Sequence, residues 1–382
     1  MKKAVYLDHA ATTPMRPEVI QEMVRVMESV YGNPSSTHQF GRRAHFELEM
    51  AREQVARSIH ALPEEIIFNS GGTEGDNTVI IQAALARQAL GKHLITTEVE
   101  HSAVSEAMTY LEMRGFEVTY LPVDETGSVT AASVKEVLRD DTILVSVMYG
   151  NNETGAIFPI REIGEVLHSH QALFHTDAVQ AFGTESINVK DVNVDYLSIS
   201  GHKINGPKGI GFHYVKQGAV IPVLFHGGDQ EEKKRAGTEN LSSIVGLAKA
   251  TELLTDEVKE RNKAHYRMFK EMILETLEQN EVAFDVNGHL PSDLAHILNV
   301  WLKGVPNNLL LSRLDLAGFA ISTGSACSAG DVKPSKIIKK LRPEEPIAAS
   351  ESIRISFGLG VTEEDIRSFS DTLVEIVGQL KS

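Results

Sequence analysis

Short apolar runs recur through the first half of the chain, at Glu65-IIFNS, His93-LITTE, Thr142-ILVSVM, Ala172-LFHTDA and Tyr196-LSIS. Each is too short for a buried helix and ends in polar or small residues, so each predicts a buried strand. Helix-length segments lie between them, Asn77 to Gln88, Ala103 to Arg114 and Ile160 to His168. Strands alternating with helices predict an α/β fold with a mostly parallel sheet joined by crossovers. A second pattern follows a long helical stretch from about Asn240 to Gln279: Ala295-HILNVW, Asn308-LLLSRLDLAG, Ser352-IRISFG and a final helix from Glu363 to Lys381. This predicts a smaller α+β domain. The expected organisation is a large domain over residues 14–250 and a small domain built from 1–13 and 251–382.

Composition narrows the class. With 382 residues, 42% hydrophobic and 23% charged, the chain is long enough for one large and one smaller globular domain. Its net charge of -15 repels nucleic-acid phosphates, so direct nucleic-acid binding is not expected. No window approaches the roughly 18 consecutive apolar residues of a membrane helix. The start MKKAVYLDHAATTP lacks an apolar run of signal-peptide length, and the expected compartment is the cytoplasm. The single cysteine, Cys327, excludes a disulfide within the chain. It sits in ISTGSACSAG, where Gly324, Ser325, Ser328 and Gly330 describe an exposed, mobile loop rather than a packed element.

The candidate chemistry lies at the ends of the predicted strands, where open α/β sheets place ligands. In Asn69-SGGTEGDN the amides around Gly71, Gly72 and Thr73 open a helix and would face an anion, although such a start also serves structure alone. Asp177 ends an apolar run, with Gln180 three residues on; it either caps the next helix or holds a protonated ring nitrogen of a cofactor. In Tyr196-LSISGHKINGPKGIGF, Lys203 lies against a low-dielectric interior that would lower its pKa and leave its amine nucleophilic, as a Schiff-base lysine requires. Ser200 and His202 beside it could share an anion, and Lys208 is the alternative amine. His101 in Glu98-VEHSAV caps a helix or stacks on a flat ligand and moves protons. An amine, a carboxylate, an imidazole and a Gly-Thr helix start together describe a site for pyridoxal 5'-phosphate.

The motifs YLDHAATTP, GNPSSTHQFG, NSGGTEGDN, EHSAV, NNETG, HTDAVQ, SGHKINGPKGIG, RAGTEN and STGSACSAG make the chain resemble, over nearly its full length, the cysteine desulfurases of the NifS and IscS type, class V relatives of the fold-type I aminotransferases. The resemblance implies that Lys203 carries pyridoxal phosphate, Asp177 pairs the pyridinium, Gln180 bonds the phenolate oxygen and His101 stacks on the ring. Asn152 would sit near substrate and cofactor hydroxyl. Gly72, Thr73, Ser200 and His202 would hold the phosphate, with Thr238 reaching in from the second subunit of a homodimer. Arg354 would clamp the carboxylate of L-cysteine, helped by Asn33. Cys327 would attack the substrate sulfur, giving alanine and a Cys327 persulfide, with His101 the acceptor of the thiol proton. No metal site is implied, save Cys327 as a transient iron-sulfur ligand shared with a partner.

Three features bear on subtype. The cysteine loop resembles the longer-loop group, in which sulfur passes directly to a partner, and RAGTEN resembles the NifS-like branch more than the IscS branch. The chain also stops soon after its final helix, without the extended tail that IscS uses in scaffold docking. An iron-sulfur scaffold and a tRNA 2-thiouridylase, acting in tRNA thiolation, are equal candidates for the acceptor. A plain aminotransferase would need no Cys327, whereas a selenocysteine lyase would keep the cofactor residues. A non-enzymatic iron-sulfur carrier would need several thiolates.

Overall fold

The computed structural model describes residues 4–219, 223–288, 293–324 and 334–381. Cys327, Ser325, Ser328 and Gly330 lie outside the described residues. Twelve strands occur among those described: β1 (Val5–Tyr6), β2 (Ile66–Asn69), β3 (His93–Thr97), β4 (Glu117–Leu121), β5 (Thr142–Ser146), β6 (Leu173–Asp177), β7 (Tyr196–Ser200), β8 (Gly211–Val215), β9 (Phe284–Val286), β10 (Ile297–Leu302), β11 (Phe319–Ala320) and β12 (Ser352–Ser356). The main sheet has seven strands in the order β2-β8-β7-β6-β5-β3-β4. Only β8 runs antiparallel to its neighbours. Strands β3, β5 and β7 are buried at every position, because helices cover both faces, and such strands read as largely apolar runs rather than as a strict alternation.

The two strands without an apolar-run signature have local reasons. The edge strand β4, EVTYL, is partly exposed and carries polar positions. Strand β8, GFHYV, follows directly on the glycine-rich turn after Lys203 and pairs back on β7, Ser200 opposite Gly211. The helices follow the predicted segments, at Gly72–Arg87, Ser102–Glu112 and Ile160–Leu167. The long stretch from Asn240 to Gln279 differs from expectation in being two helices, Leu241–Glu252 and Asp256–Gln279. Thr255 separates them by accepting the Val258 N–H on its hydroxyl at 3.3 Å, an N-cap that starts a new helix.

A second sheet, β12-β10-β9, is antiparallel, with Arg354 opposite Asn299. Its hydrophobic cluster draws on both ends of the chain, joining Val5 and Leu7 to Phe269, Ile353, Phe369 and Leu373. Fully burying one such large apolar side chain contributes about 1.5–3 kcal/mol. The cluster therefore holds residues 5–13 against the second sheet, where they also meet the turn after β7. Thr13 Oγ1 donates to the His202 carbonyl at 2.7 Å. Among the described residues, no helix is long and apolar enough to cross a membrane.

Candidate active site

The parallel strands point their carboxyl ends at one region, and the candidate residues gather there. Lys203 ends the single turn Gly201–Lys203 after β7. Its Nζ donates to the carbonyls of Ala10 and Ala11, the latter at 2.8 Å. Burial and, next, the Arg354 charge lower its pKa to about 8, against the opposing pull of Asp177 and Asp8. A lowered pKa is the direction expected of a nucleophilic amine. Lys208, the alternative amine, is exposed.

Asp177 closes β6 and is buried. Its Oδ1 accepts the Val179 N–H at 2.9 Å. Burial, reinforced by the Asp76 carboxyl, raises its pKa to about 6. A buried carboxylate with one backbone donor is short of partners, which suits a cationic ring nitrogen. Gln180 donates from Nε2 to the Ala10 carbonyl at 2.9 Å, while its Oε1 lies 3.3 Å from His296 Nε2. Gln180 and Lys203 therefore share one backbone oxygen.

His101 caps the helix Ser102–Glu112, its Nδ1 accepting the Ala103 N–H at 3.1 Å. When the ring is neutral, that bond places its proton on Nε2. The ring is exposed, and a nitrogen of it lies within 4.8 Å of a carboxylate oxygen of both Asp76 and Asp177.

The helix Gly72–Arg87 begins at Gly71, whose φ of +140° no side-chain-bearing residue adopts easily. No side chain caps this helix start, so the first amides remain available to an anion. A Cβ on Gly71 would stand 3.3 Å from Ser200 Oγ, and one on Gly72 would meet Val179 Cγ2 at 2.9 Å. The glycines and Ser200 thus line one backbone cradle. His202 Nδ1 lies 3.1 Å from Thr12 Oγ1, and burial, with the charges of Lys203 and Lys208, lowers its pKa to about 4. It is neutral and hydrogen-bonding at pH 7.

Arg354 is 3% exposed and reaches from the second sheet into this region. Its Nη1 donates to the Asn152 carbonyl and its Nη2 to Asp8 Oδ1, both at 2.8 Å. Its Nε and the Oδ1 of Asn152 are buried without a protein partner. Orphaned buried polar atoms of both signs are what a zwitterionic amino-acid ligand would satisfy.

Pyridoxal phosphate meets a matching donor set in these residues: a glycine cradle, a partner-poor acid, an amine of lowered pKa and an orphaned amide oxygen. Asn33 is not drawn in, and Thr238 is expected at the site of a second subunit rather than its own. Asn33 lies exposed between the helices Pro17–Ser29 and Gln39–Ser58, its Oδ1 accepting the Ser35 N–H at 2.9 Å. Thr238 is also exposed. Among the described residues, neither hydrogen-bonds to another candidate residue.

The structure adds groups to which the sequence assigned no role. Asp8 bonds Arg354. Asp76 is wholly buried beside Asp177 and 3.5 Å from His175 Nε2, with its pKa raised to about 7 by burial. Glu74, in the cradle motif, pairs with Arg235 of RAGTEN at 2.9 Å. All stand inside the motifs named above; no periodicity marks which of their side chains turn inward.

The class-V aminotransferase family model matches residues 5–369. A Bacillus subtilis protein bearing the name IscS 1 is 50% identical over 376 residues, 98% of this chain and 99% of its own. The cysteine desulfurase IscS of Methanosarcina thermophila is 44% identical over 381 residues, 100% of this chain and 93% of its own. The solved structure of a NifS-like protein superposes with a TM-score of 0.92 at 34% identity, covering 99% of this chain and 100% of that one.

Proposed function

The chain belongs to the class-V aminotransferase family, and from that premise we propose how it works as a cysteine desulfurase. It is a pyridoxal-phosphate-dependent enzyme of the α/β fold shared with NifS-like proteins, and it removes sulfur from L-cysteine. The observation that carries the residue assignment is the convergence of Lys203, Gln180 and Arg354 on the segment Asp8–Ala11, from two sheets, with the Asp177 charge acting on Lys203.

The bound cofactor supplies an electron sink for carbanion chemistry at the substrate α-carbon. Lys203 would bind its aldehyde carbon, and its Nζ, with a pKa near 8, can release or take up a proton close to neutrality. Asp177 would hold the ring-nitrogen proton, Gln180 and Asn152 the ring hydroxyl, and His101 would cover the ring. The amides of Gly72 and Thr73, with Ser200 and His202, would bind the phosphate. Arg354, held by Asp8 and the Asn152 carbonyl, would orient the substrate carboxylate, with Asn33 assisting. Cys327, outside the described residues, would attack the substrate sulfur as thiolate: its S–S bond forms while the substrate Cβ–S bond breaks, and the released electron pair and a proton complete alanine. His101 can take the thiol proton on Nδ1 only by giving up the Ala103 cap.

Purified enzyme given L-cysteine is expected to yield L-alanine and one added sulfur per chain. Formation of a keto acid in place of alanine would indicate a plain aminotransferase.

The same reading includes a large domain over 14–250, a small domain over 1–13 and 251–382, a cytoplasmic setting and a homodimer. Ile20, Val24 and Met27 form an exposed stripe on one helix, Phe46 and Met50 another on the next, and Tyr31 stacks on Phe40 at 5.5 Å between them. An apolar face of this extent suits a second copy of the chain. Such a copy would bring Thr238 to the phosphate cradle of its partner. Mixing Lys203→Ala with Thr238→Ala subunits is then expected to restore one intact site per heterodimer, about half the wild-type activity. Verified heterodimers without activity would show that each chain builds its site alone. The acceptor of the sulfur would be an iron-sulfur scaffold or a tRNA 2-thiouridylase.

A further inference from the structure

The turn that presents Asn152 also presents a buried acid, Glu153, to which the mechanism above gives no task. Its backbone is fixed from two sides: Asn151 Oδ1 accepts the amide of Glu153 at 2.8 Å, and Asn299 Nδ2 donates to the Glu153 carbonyl at 3.0 Å. The side chain, on a residue 5% exposed, turns toward a distant part of the chain. Ser335 Oγ donates to Glu153 Oε2 at 2.5 Å. The Gly324 backbone lies so close that a Cβ there would stand 2.7 Å from the same oxygen and 2.9 Å from Cδ, at a φ of +97° that favours glycine. Gly324 is the last described residue before the Cys327 segment, and Ser335 follows just beyond its other end.

The near flank is also tied to the substrate side. Ser322 and Arg354 exchange backbone hydrogen bonds of 3.1 and 2.6 Å, and Ser322 Oγ accepts the Gly324 N–H at 3.1 Å. Arg354 in turn reaches the carbonyl of Asn152, the residue next to Glu153. One carboxylate thus touches both flanks of the Cys327 segment and sits one residue from the contact that holds the substrate-binding arginine. Among the described residues no cation bonds Glu153; burying a carboxylate so is costly, and an apolar contact would join the same backbones more cheaply.

We propose that Glu153 is a positioning residue for sulfur transfer, clasping both flanks of the Cys327 segment and registering them against the Asn152–Arg354 side of the substrate site. The proposal rests on Cys327 being the sulfur acceptor. It predicts a defect in sulfur transfer separated from substrate binding.

The test is single-turnover mass spectrometry of sulfur added to the Cys327 peptide, alongside the L-cysteine concentration that half-saturates the absorbance change of the cofactor-loaded enzyme. Glu153→Ala is expected to slow persulfide formation about 100-fold, the cost of misplacing a reacting group by about 1 Å, with half-saturation moving less than about threefold. Glu153→Gln keeps an oxygen for the Ser335 hydroxyl and is expected to stay within about fivefold of wild type. Ser335→Ala removes the contact from the other side, should slow transfer about tenfold, and carries the test if Glu153→Ala does not fold. Persulfide formation at the wild-type rate in either folded, loaded variant overturns the proposal. So does a joint loss of binding and transfer that glutamine fails to rescue. If wild type adds no sulfur to Cys327, the assignment of Cys327 itself falls, a different and recognisable result.

Discussion

Replacing Lys203 with alanine is expected to give a protein that lacks the visible absorbance of the lysine-bound cofactor and turns over L-cysteine at least about 10³-fold more slowly than wild type, because binding of the cofactor and proton transfer both depend on that amine. Sulfide release at the wild-type rate would refute the assignment. The pH dependence offers an independent check. Burial and the Arg354 charge bring the Lys203 pKa down to about 8, so the uncharged amine is the lesser form at pH 7 and the major form above pH 8. Loading of cofactor-free protein should therefore accelerate about fivefold from pH 7 to pH 8 and level off above about pH 9. A lysine near its ordinary value would continue to gain about tenfold per pH unit up to about pH 10. Rates that still climb steeply beyond pH 9 would show that the carbonyls of Ala10 and Ala11 hold Lys203 as an ordinary ammonium.

Cys327→Ser carries the second large effect. A free thiol near its unperturbed pKa of about 8.5 is only a few per cent thiolate at neutral pH, and a serine hydroxyl is far weaker as a nucleophile. The variant should form alanine at least about 10³-fold more slowly. Cofactor loading and the absorbance change with L-cysteine should persist, since the proposed mechanism assigns those steps to Lys203, Asp177 and Arg354. Wild type exposed briefly to L-cysteine should gain about 32 Da, one sulfur, on the Cys327 peptide. Normal alanine formation by Cys327→Ser, or no added sulfur in wild type, would make Cys327 a packing residue and rule out persulfide transfer through it.

By itself the sequence determined most of the strand and helix alternation of the first half of the chain, because strands buried on both faces are largely apolar and stand out from the amphipathic helices between them. The motif residues at strand ends were legible for a related reason: lysine and aspartate beside an apolar run are costly unless a ligand or partner uses them, so Asp177 and Lys203 stand out, and the Gly71-Gly72 pair marks a turn into a helix. Edge strand β4 was not legible, since one exposed edge removes the apolar signature, nor was the break at Thr255, where an N-cap acts through a single hydroxyl.

Only the tertiary structure decided which polar side chains inside those motifs face one another. Asp8 and Arg354 are 346 positions apart, and their 2.8 Å contact exists because the segment after the first strand bridges to β12, Asp8 opposite Ser356. Asp76 beside Asp177, and Glu153 between Gly324 and Ser335, are likewise set by packing of distant elements. Sequence spacing encodes a residue's place on its own helix or strand; desolvation and partner, which set the Lys203 and Asp177 pKa values, depend on what lies across the fold.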